Sequence, residues 1–193
     1  MSAPAGLLHA PVIATPEEEG ALLEHLARLE LSGIRMRGQV ARRRTAHFGW
    51  LYGYETGRVE PGPPLPGFLQ SLRERAAALA DVAPAELTEA LVTEYPAGAG
   101  IGWHRDAPAF GVVIGVSLLG ACRLRFRRNR GETRLTWAMD LAPRAAYVLT
   151  GAARWQWQHS IPPVRTPRWS VTFRTLRDAG ARAPRAATPR RPS

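Results

Sequence analysis

His104-Arg105-Asp106 sets an imidazole and a carboxylate two residues apart, so on an extended segment both point to one face and reach the same ion. A third ligand has to come from elsewhere. His159, at the end of a strand-like run and followed by Ser160-Ile161, is the strong candidate; His9, His25 and His47 fall in a tail, a helix and a basic segment. Two imidazoles and one carboxylate leave open positions on an octahedral ion such as iron, as a metal needs if it must bind an oxidant and a cosubstrate together. Zinc more often takes a closed tetrahedron or a fourth protein ligand. Alone, a His-x-Asp is a common accident. Its context is not: Arg168-Trp169-Ser170-Val171-Thr172-Phe173-Arg174 puts two guanidinium groups six residues apart on one face of a strand. Turned inward, such a pair needs anions, and a dicarboxylate bound beside the metal supplies them through the fork geometry of arginine. Turned outward, the strand is a solvated face with salt bridges.

These residues need a scaffold, and the patterning after Pro84 provides one. Strand-like runs over 91–95, 111–119, 122–127, 134–137, 145–149, 154–159 and 168–176, separated by turn residues, predict a mainly β sandwich or barrel. Upstream, Leu22, Leu23, Leu26 and Leu29 recur at helical spacing behind Thr15 as N-cap with Glu18 three places on, which predicts an amphipathic helix over 16–31. Phe48, Trp50, Tyr52 and Tyr54 alternate, as on a strand with one aromatic face. The Pro-rich stretch 60–66 reads as a loop and 66–80 as a second helix. The last segment, 178–193, has no large apolar residue to bury and reads as a disordered basic tail.

The chain has 193 residues, enough for one domain with a single core. All 26 basic residues are arginine, against 16 acids, for a formal charge of +10. A GC-rich genome explains arginine in place of lysine but not the excess, which favours phosphate-bearing partners, nucleic acid before a membrane surface. No run approaches the roughly 20 apolar residues of a membrane span and no signal peptide opens the chain, so a cytoplasmic protein is expected. Cys122, the one cysteine, reads as a small buried residue and not a reactive thiol.

In order along the chain, Thr93-Glu94-Tyr95-Pro96-Ala97-Gly98, then Trp103 to Asp106, then Val116 to Gly120, then Trp157-Gln158-His159-Ser160-Ile161, and finally Arg168 to Arg174 together resemble the motifs of the AlkB family of iron(II)- and 2-oxoglutarate-dependent dioxygenases. The resemblance spans roughly residues 45–176. The run Arg43 to Trp50, continuing to Tyr54 and Pro64-Leu65-Pro66, more loosely resembles the transfer-RNA-modifying branch.

The resemblance implies a double-stranded β-helix, or jelly roll, in a single domain over 1–177, with a helical and nucleotide-access region at 15–85 and the jelly-roll core at 86–177. It implies that His104, Asp106 and His159 hold Fe(II). Arg168 would bind the distal carboxylate of 2-oxoglutarate with help from Tyr95, Thr93 and Ser170, while Arg174 would lie near the metal-side carboxylate or the substrate. Thr93 stands where many members have Asn, yet can still donate a hydrogen bond. Trp50, Tyr52, Tyr54 and Trp103 are candidate base-stacking groups. Arg43, Arg44 and the 123–130 run are candidate phosphate contacts.

The implied reaction consumes O2 and 2-oxoglutarate, yields succinate and carbon dioxide, and removes N-alkyl groups from DNA or RNA bases as formaldehyde, the protein working as a monomer. Two alternatives remain: a hydroxylase of a transfer-RNA base modification, and a non-catalytic nucleic-acid-binding jelly roll. A protein substrate is disfavoured by the charge.

Overall fold

The computed structural model describes residues 2–36, 39–53 and 56–177; the expected tail at 178–193 and Tyr54 lie outside them. In chain order the elements are β1 (Leu7–Ala10), α1 (Pro16–Leu26), β2 (Ser32–Met36), β3 (Gln39–Tyr52), β4 (Val59–Pro61), α2 (Gln70–Ala80), β5 (Leu87–Tyr95), β6 (Ile101–His104), β7 (Phe110–Leu118), β8 (Cys122–Arg130), β9 (Thr133–Leu141), β10 (Ala146–Leu149), α3 (Gly151–Trp155), β11 (Gln158–Ile161) and β12 (Arg168–Leu176). The strands form a larger antiparallel sheet in the order β1-β10-β7-β12-β5-β3-β2, with β4 on β3, and a smaller one in the order β6-β11-β8-β9. This is a jelly roll with helices on the outer face of its larger sheet. The larger sheet also takes in β1, β2 and β3 from the first half of the chain. No helix of the described residues is long and apolar enough to cross a membrane.

Strand β12 shows why the interior can hold a polar site. Nearly all of it is buried, yet its two faces differ. Trp169, Val171 and Phe173 pack with Leu22 and Leu26 of α1 and Leu72, Ala76 and Ala77 of α2. With a period of two, Arg168, Ser170, Thr172 and Arg174 must take the opposite face, between the sheets. A second cluster, including Leu124, Phe126, Leu141 and Leu149, fills the remainder of that space.

Several elements differ from their expected form. Helix α1 carries the predicted capping box, with Thr15 Oγ accepting from the Glu18 N–H and Glu18 accepting from the Thr15 N–H. It ends at Leu26 and not Leu31, because the chain must turn before the weak helix formers Ser32 and Gly33 enter β2. The aromatic alternation does not share one face. Gly49 has φ +80°, and a Cβ there would lie 2.0 Å from the Thr88 carbonyl oxygen, so the strand breaks its period at a position only glycine fills. Phe48 consequently packs toward the helices, while Tyr52 meets Phe110 edge-on at 6.5 Å.

The expected loop at 60–66 begins with an edge strand instead, Trp50 pairing with Pro61, a place where proline's missing donor is tolerated. His9 sits in β1, not in a tail, and Arg154 to Trp155 belong to the helical turn α3, not to the strand that reaches His159. Cys122 is a buried free thiol, as expected.

Candidate active site

Antiparallel pairing of β6 with β11 sets His104 directly opposite His159, their rings 4.2 Å apart between centroids. Asp106 follows two residues after His104, and one ligand atom from each of the three side chains lies within 4.8 Å of the others. The His104 Nδ1 is 2.9 Å from the Gly102 carbonyl. A carbonyl only accepts, so Nδ1 carries the proton and Nε2 keeps its lone pair. Burial pushes the His104 imidazole below its ordinary value and takes His159 down to about 3, so both are neutral ligands at physiological pH.

Burial alone would raise the Asp106 carboxyl. The Arg174 guanidinium, and behind it the two imidazoles, outweigh that and hold it below the usual carboxylate range. Its Oδ2 is buried without a hydrogen-bond partner among the described residues and lies 3.5 Å from His159 Nε2. Two neutral imidazoles beside an ionised, unsatisfied carboxylate oxygen are the donor set that suits Fe(II) with coordination positions left over.

Two arginines fix this carboxylate. Arg174 donates to Asp106 Oδ1 from Nε at 2.9 Å and from Nη2 at 2.6 Å, and its Nη1 donates to Glu89 Oε2 at 2.6 Å. Arg154, only 2 % exposed, holds the loop that carries Asp106. Its Nη2 donates to the carbonyls of Ala107 and Phe110 at 2.7 Å each, its Nε to that of Gly111 at 2.9 Å, and its Nη1 to that of Asp106 at 3.3 Å.

Farther along the same face of β12 the situation reverses. Arg168 is 1 % exposed, with its guanidinium 4.9 Å from the centre of the Tyr95 ring. Nε donates to Ser117 Oγ at 2.9 Å, but Nη1 is buried with no partner among the described residues. Register places Tyr95 opposite Arg168, and Thr93 and Ser117 on either side of Ser170, a row of hydroxyls across three strands. Tyr147 of β10 lies over Gly115, where an added Cβ would sit 2.4 Å from its ring, and burial raises its hydroxyl well above the usual phenol range. An unsatisfied guanidinium among hydroxyl groups fits the distal carboxylate of 2-oxoglutarate.

Of the two arginines expected to face a dicarboxylate, Arg174 already meets two carboxylates of the chain itself, whereas Arg168 keeps a buried donor with no partner among the described residues. Glu89, Ser117, Tyr147 and Arg154 were not singled out from sequence. Glu89 was within reach of such reasoning, since it alternates with Leu91, Thr93 and Tyr95 along β5 and so shares their inward face. The other three depend on contacts between distant elements, strand to strand for Ser117 and Tyr147 and helix to loop for Arg154.

The candidate substrate groups separate. Arg43 donates to the Gly100 carbonyl at 3.4 Å and lies close enough to His104 to depress its basicity. Arg44 points to the other face and pairs with Glu94 at 2.7 Å. The Trp103 ring is occupied by the guanidinium groups of Arg125 and Arg127, 5.1 and 4.5 Å from its centre. Trp50 and Tyr52 are half-buried on β3.

The chain matches the model of the 2OG-Fe(II) oxygenase superfamily over residues 6–184. It is 33% identical over 169 residues to the mouse protein named tRNA (carboxymethyluridine(34)-5-O)-methyltransferase ALKBH8, covering 83% of this chain and 24% of that one. It is 30% identical over 184 residues to an Arabidopsis thaliana protein named alkylated DNA repair protein ALKBH8 homolog, covering 81% of this chain and 51% of the relative. The chain thus spans a quarter to a half of the length of these relatives. In fold it is similar to the solved structure of OsALKBH1, with a TM-score of 0.67 at 12% identity over 91% of this chain and 100% of the other. With these matches and a largely buried two-histidine, one-carboxylate cluster in an interior that also holds an arginine with an unmet donor, the chain belongs to the 2OG-Fe(II) oxygenase superfamily, as an AlkB-family dioxygenase that uses Fe(II), 2-oxoglutarate and O2.

Proposed function

We propose that the protein oxidatively dealkylates N-alkylated bases in DNA or RNA, as a cytoplasmic monomer whose residues 1–177 act as one catalytic domain. The observation that carries this reading is the interior between the two sheets, into which the smaller sheet brings the His104, Asp106 and His159 cluster and the larger sheet a guanidinium, Arg168, with an unmet donor. Bound iron, with 2-oxoglutarate and O2, supplies the oxidising power that hydroxylates the alkyl carbon, with succinate and carbon dioxide as co-products. An N-hydroxymethyl group then leaves as formaldehyde and restores the base.

The chain's part is positional. His104, Asp106 and His159 hold the metal, and Arg174 and Arg154 keep Asp106 ionised and in place. Arg168, with Tyr95, Thr93, Ser117 and Ser170, orients the cosubstrate. Arg43, near His104 at the rim, and the half-buried Trp50 and Tyr52 are the groups in this reading that meet a base taken out of its stack. The excess of arginine supports a polyanionic substrate.

A second reading, hydroxylation of a transfer-RNA base modification, is favoured by the relative whose name refers to carboxymethyluridine at position 34 of transfer RNA. One assay separates the two. With Fe(II), ascorbate and 2-oxoglutarate, an oligonucleotide carrying N1-methyladenine or N3-methylcytosine should release formaldehyde, and His104→Ala should abolish this. Succinate formed only with modified transfer RNA, without formaldehyde, would replace the first reading by the second.

A further inference from the structure

At the end of the smaller sheet where β6 finishes and β11 begins, Arg105, Arg127, Arg128 and Arg134 surround a pocket of about 340 Å³ with Gln156 and Gln158. Their hydrogen-bond acceptors are neutral. Arg127 Nε donates to Gln158 Oε1 at 2.9 Å, Arg128 Nη1 to Gln156 Oε1 at 2.5 Å, and Arg105 Nη1 to the Trp155 carbonyl at 3.4 Å. Arg128 Nε is buried with no hydrogen-bond partner among the described residues. Among the described residues none of the four arginines has a carboxylate partner, although Arg123 of β8 and Arg44 and Arg174 of the larger sheet do.

Four like charges gathered around one cavity repel each other, and neutral amide acceptors orient them without removing that cost. An anion entering the pocket removes it, and oxygens in tetrahedral array suit several guanidinium forks at once.

The location identifies the anion. Arg105 lies between His104 and Asp106, and Gln158 immediately precedes His159, so the pocket occupies the same end of the smaller sheet as the metal cluster. A strand that delivers one base to the metal carries its neighbouring phosphates past this rim. We infer that the arginine pocket is a phosphate subsite, which holds a backbone phosphodiester of the nucleic-acid substrate next to the base presented to the metal. The inference rests on the nucleic-acid reading above and adds to it where the strand is held.

The test measures binding and not turnover. The full chain, loaded with Fe(II) and 2-oxoglutarate under argon, is titrated by fluorescence anisotropy with a short single-stranded oligonucleotide carrying N1-methyladenine. A second series replaces one linkage at a time by an uncharged methylphosphonate. Arg127→Gln combined with Arg134→Gln should weaken binding about tenfold or more. It should also lower the log–log salt slope by about 0.7 for each contact removed. Arg28→Gln combined with Arg75→Gln makes the same two-charge change outside the pocket and should shift affinity less than about twofold, since Arg28 and Arg75 are already paired with Glu24 and Glu18.

One methylphosphonate position should cost the unaltered protein as much as the double substitution does, and cost the double variant nothing more. That coupling assigns the pocket to a linkage of the polymer, and inorganic phosphate should compete more strongly with the unaltered protein than with the double variant. Should the double variant not fold, Arg134→Gln alone, at an exposed strand start, carries the same comparison. Pocket variants that bind as the Arg28→Gln, Arg75→Gln control does, or a methylphosphonate penalty that persists in them, overturn the phosphate subsite while the nucleic-acid reading stands. An unaltered protein that binds neither this oligonucleotide nor transfer RNA overturns both.

Discussion

Arg168 and Arg174 share one strand, one face and nearly complete burial, yet their surroundings are opposite. Arg174 is saturated by Asp106 and Glu89, whereas Arg168 rests on a serine hydroxyl and an aromatic ring with a buried donor left over. A buried guanidinium with two carboxylates is part of the protein's own architecture. One with an unmet hydrogen bond is maintained for a molecule that arrives later. The difference divides the inward face of β12 into an end that the fold completes itself, at Asp106, and an end with an unmet donor, which the proposed function gives to the cosubstrate.

The sharpest way to break this contrast is to remove each arginine in turn. Arg174→Ala strands Glu89 and Asp106 as buried, uncompensated carboxylates and should cost about 3–5 kcal/mol of stability, seen as an earlier midpoint in urea with the slope retained. Metal affinity should fall with it, because Asp106 loses two donors to Oδ1. Arg168→Met should do the reverse. It removes a charge with no carboxylate partner among the described residues, so stability should change little, while 2-oxoglutarate binding to the metal-loaded protein should weaken about 100-fold, the loss of two charge-assisted hydrogen bonds. Equal stability losses in both variants would show that Arg168 is as structural as Arg174.

Proton uptake separates the two ends next. His159 is held neutral, down to about 3 from an ordinary value of 6.5, so below pH 6.5 the unfolded chain takes up a proton that the folded chain refuses. Stability of the metal-free protein should therefore fall as pH drops from about 6.5 toward 3, by up to about 1.4 kcal/mol per pH unit from this group alone. Asp106 adds its own loss only below its ordinary value of 3.8, since its carboxyl is depressed and stays ionised above that. Urea midpoints recorded between about pH 7 and pH 4 should show this slope in the Arg168→Met protein as in the parent, and a shallower one in His159→Asn.

How much of this was legible in the sequence follows from the range of the interactions. His104, Asp106, His159 and Arg168 stand in short motifs, and the period of two on β12 put Arg168 and Arg174 on one face without saying which way that face turns. The capping box of α1 was readable for the same reason: donor and acceptor are three residues apart. What escaped was set between distant elements. The partner that saturates Arg174 comes from β5 and the clamp on the Asp106 loop from α3. The break in aromatic alternation needed one glycine's positive φ and the carbonyl of Thr88 on the next strand. Strand β6 was hidden because four residues rich in glycine and aromatics carry no apolar alternation.

Ser117 offers the smallest and most discriminating test. Its hydroxyl is the only hydrogen-bond partner that the Arg168 guanidinium has among the described residues. Ser117→Ala removes that acceptor without changing charge or opening appreciable space, and leaves a second buried donor of Arg168 unmet. The expected cost is about 1–2 kcal/mol in the protein without cosubstrate. Because 2-oxoglutarate brings two acceptor oxygens to the same guanidinium, saturating cosubstrate should recover part of that loss, so the thermal shift on adding it should be larger in the variant than in the parent if the free donors turn to the ligand. If instead Ser117 serves to aim the guanidinium, the shift should be smaller, with affinity lowered several-fold. Either sign assigns Ser117 a part at the open end of the face. A shift identical to the parent's would mean that Arg168 is held by its packing against Tyr95 alone, and that the openness of this end owes nothing to the hydroxyl row.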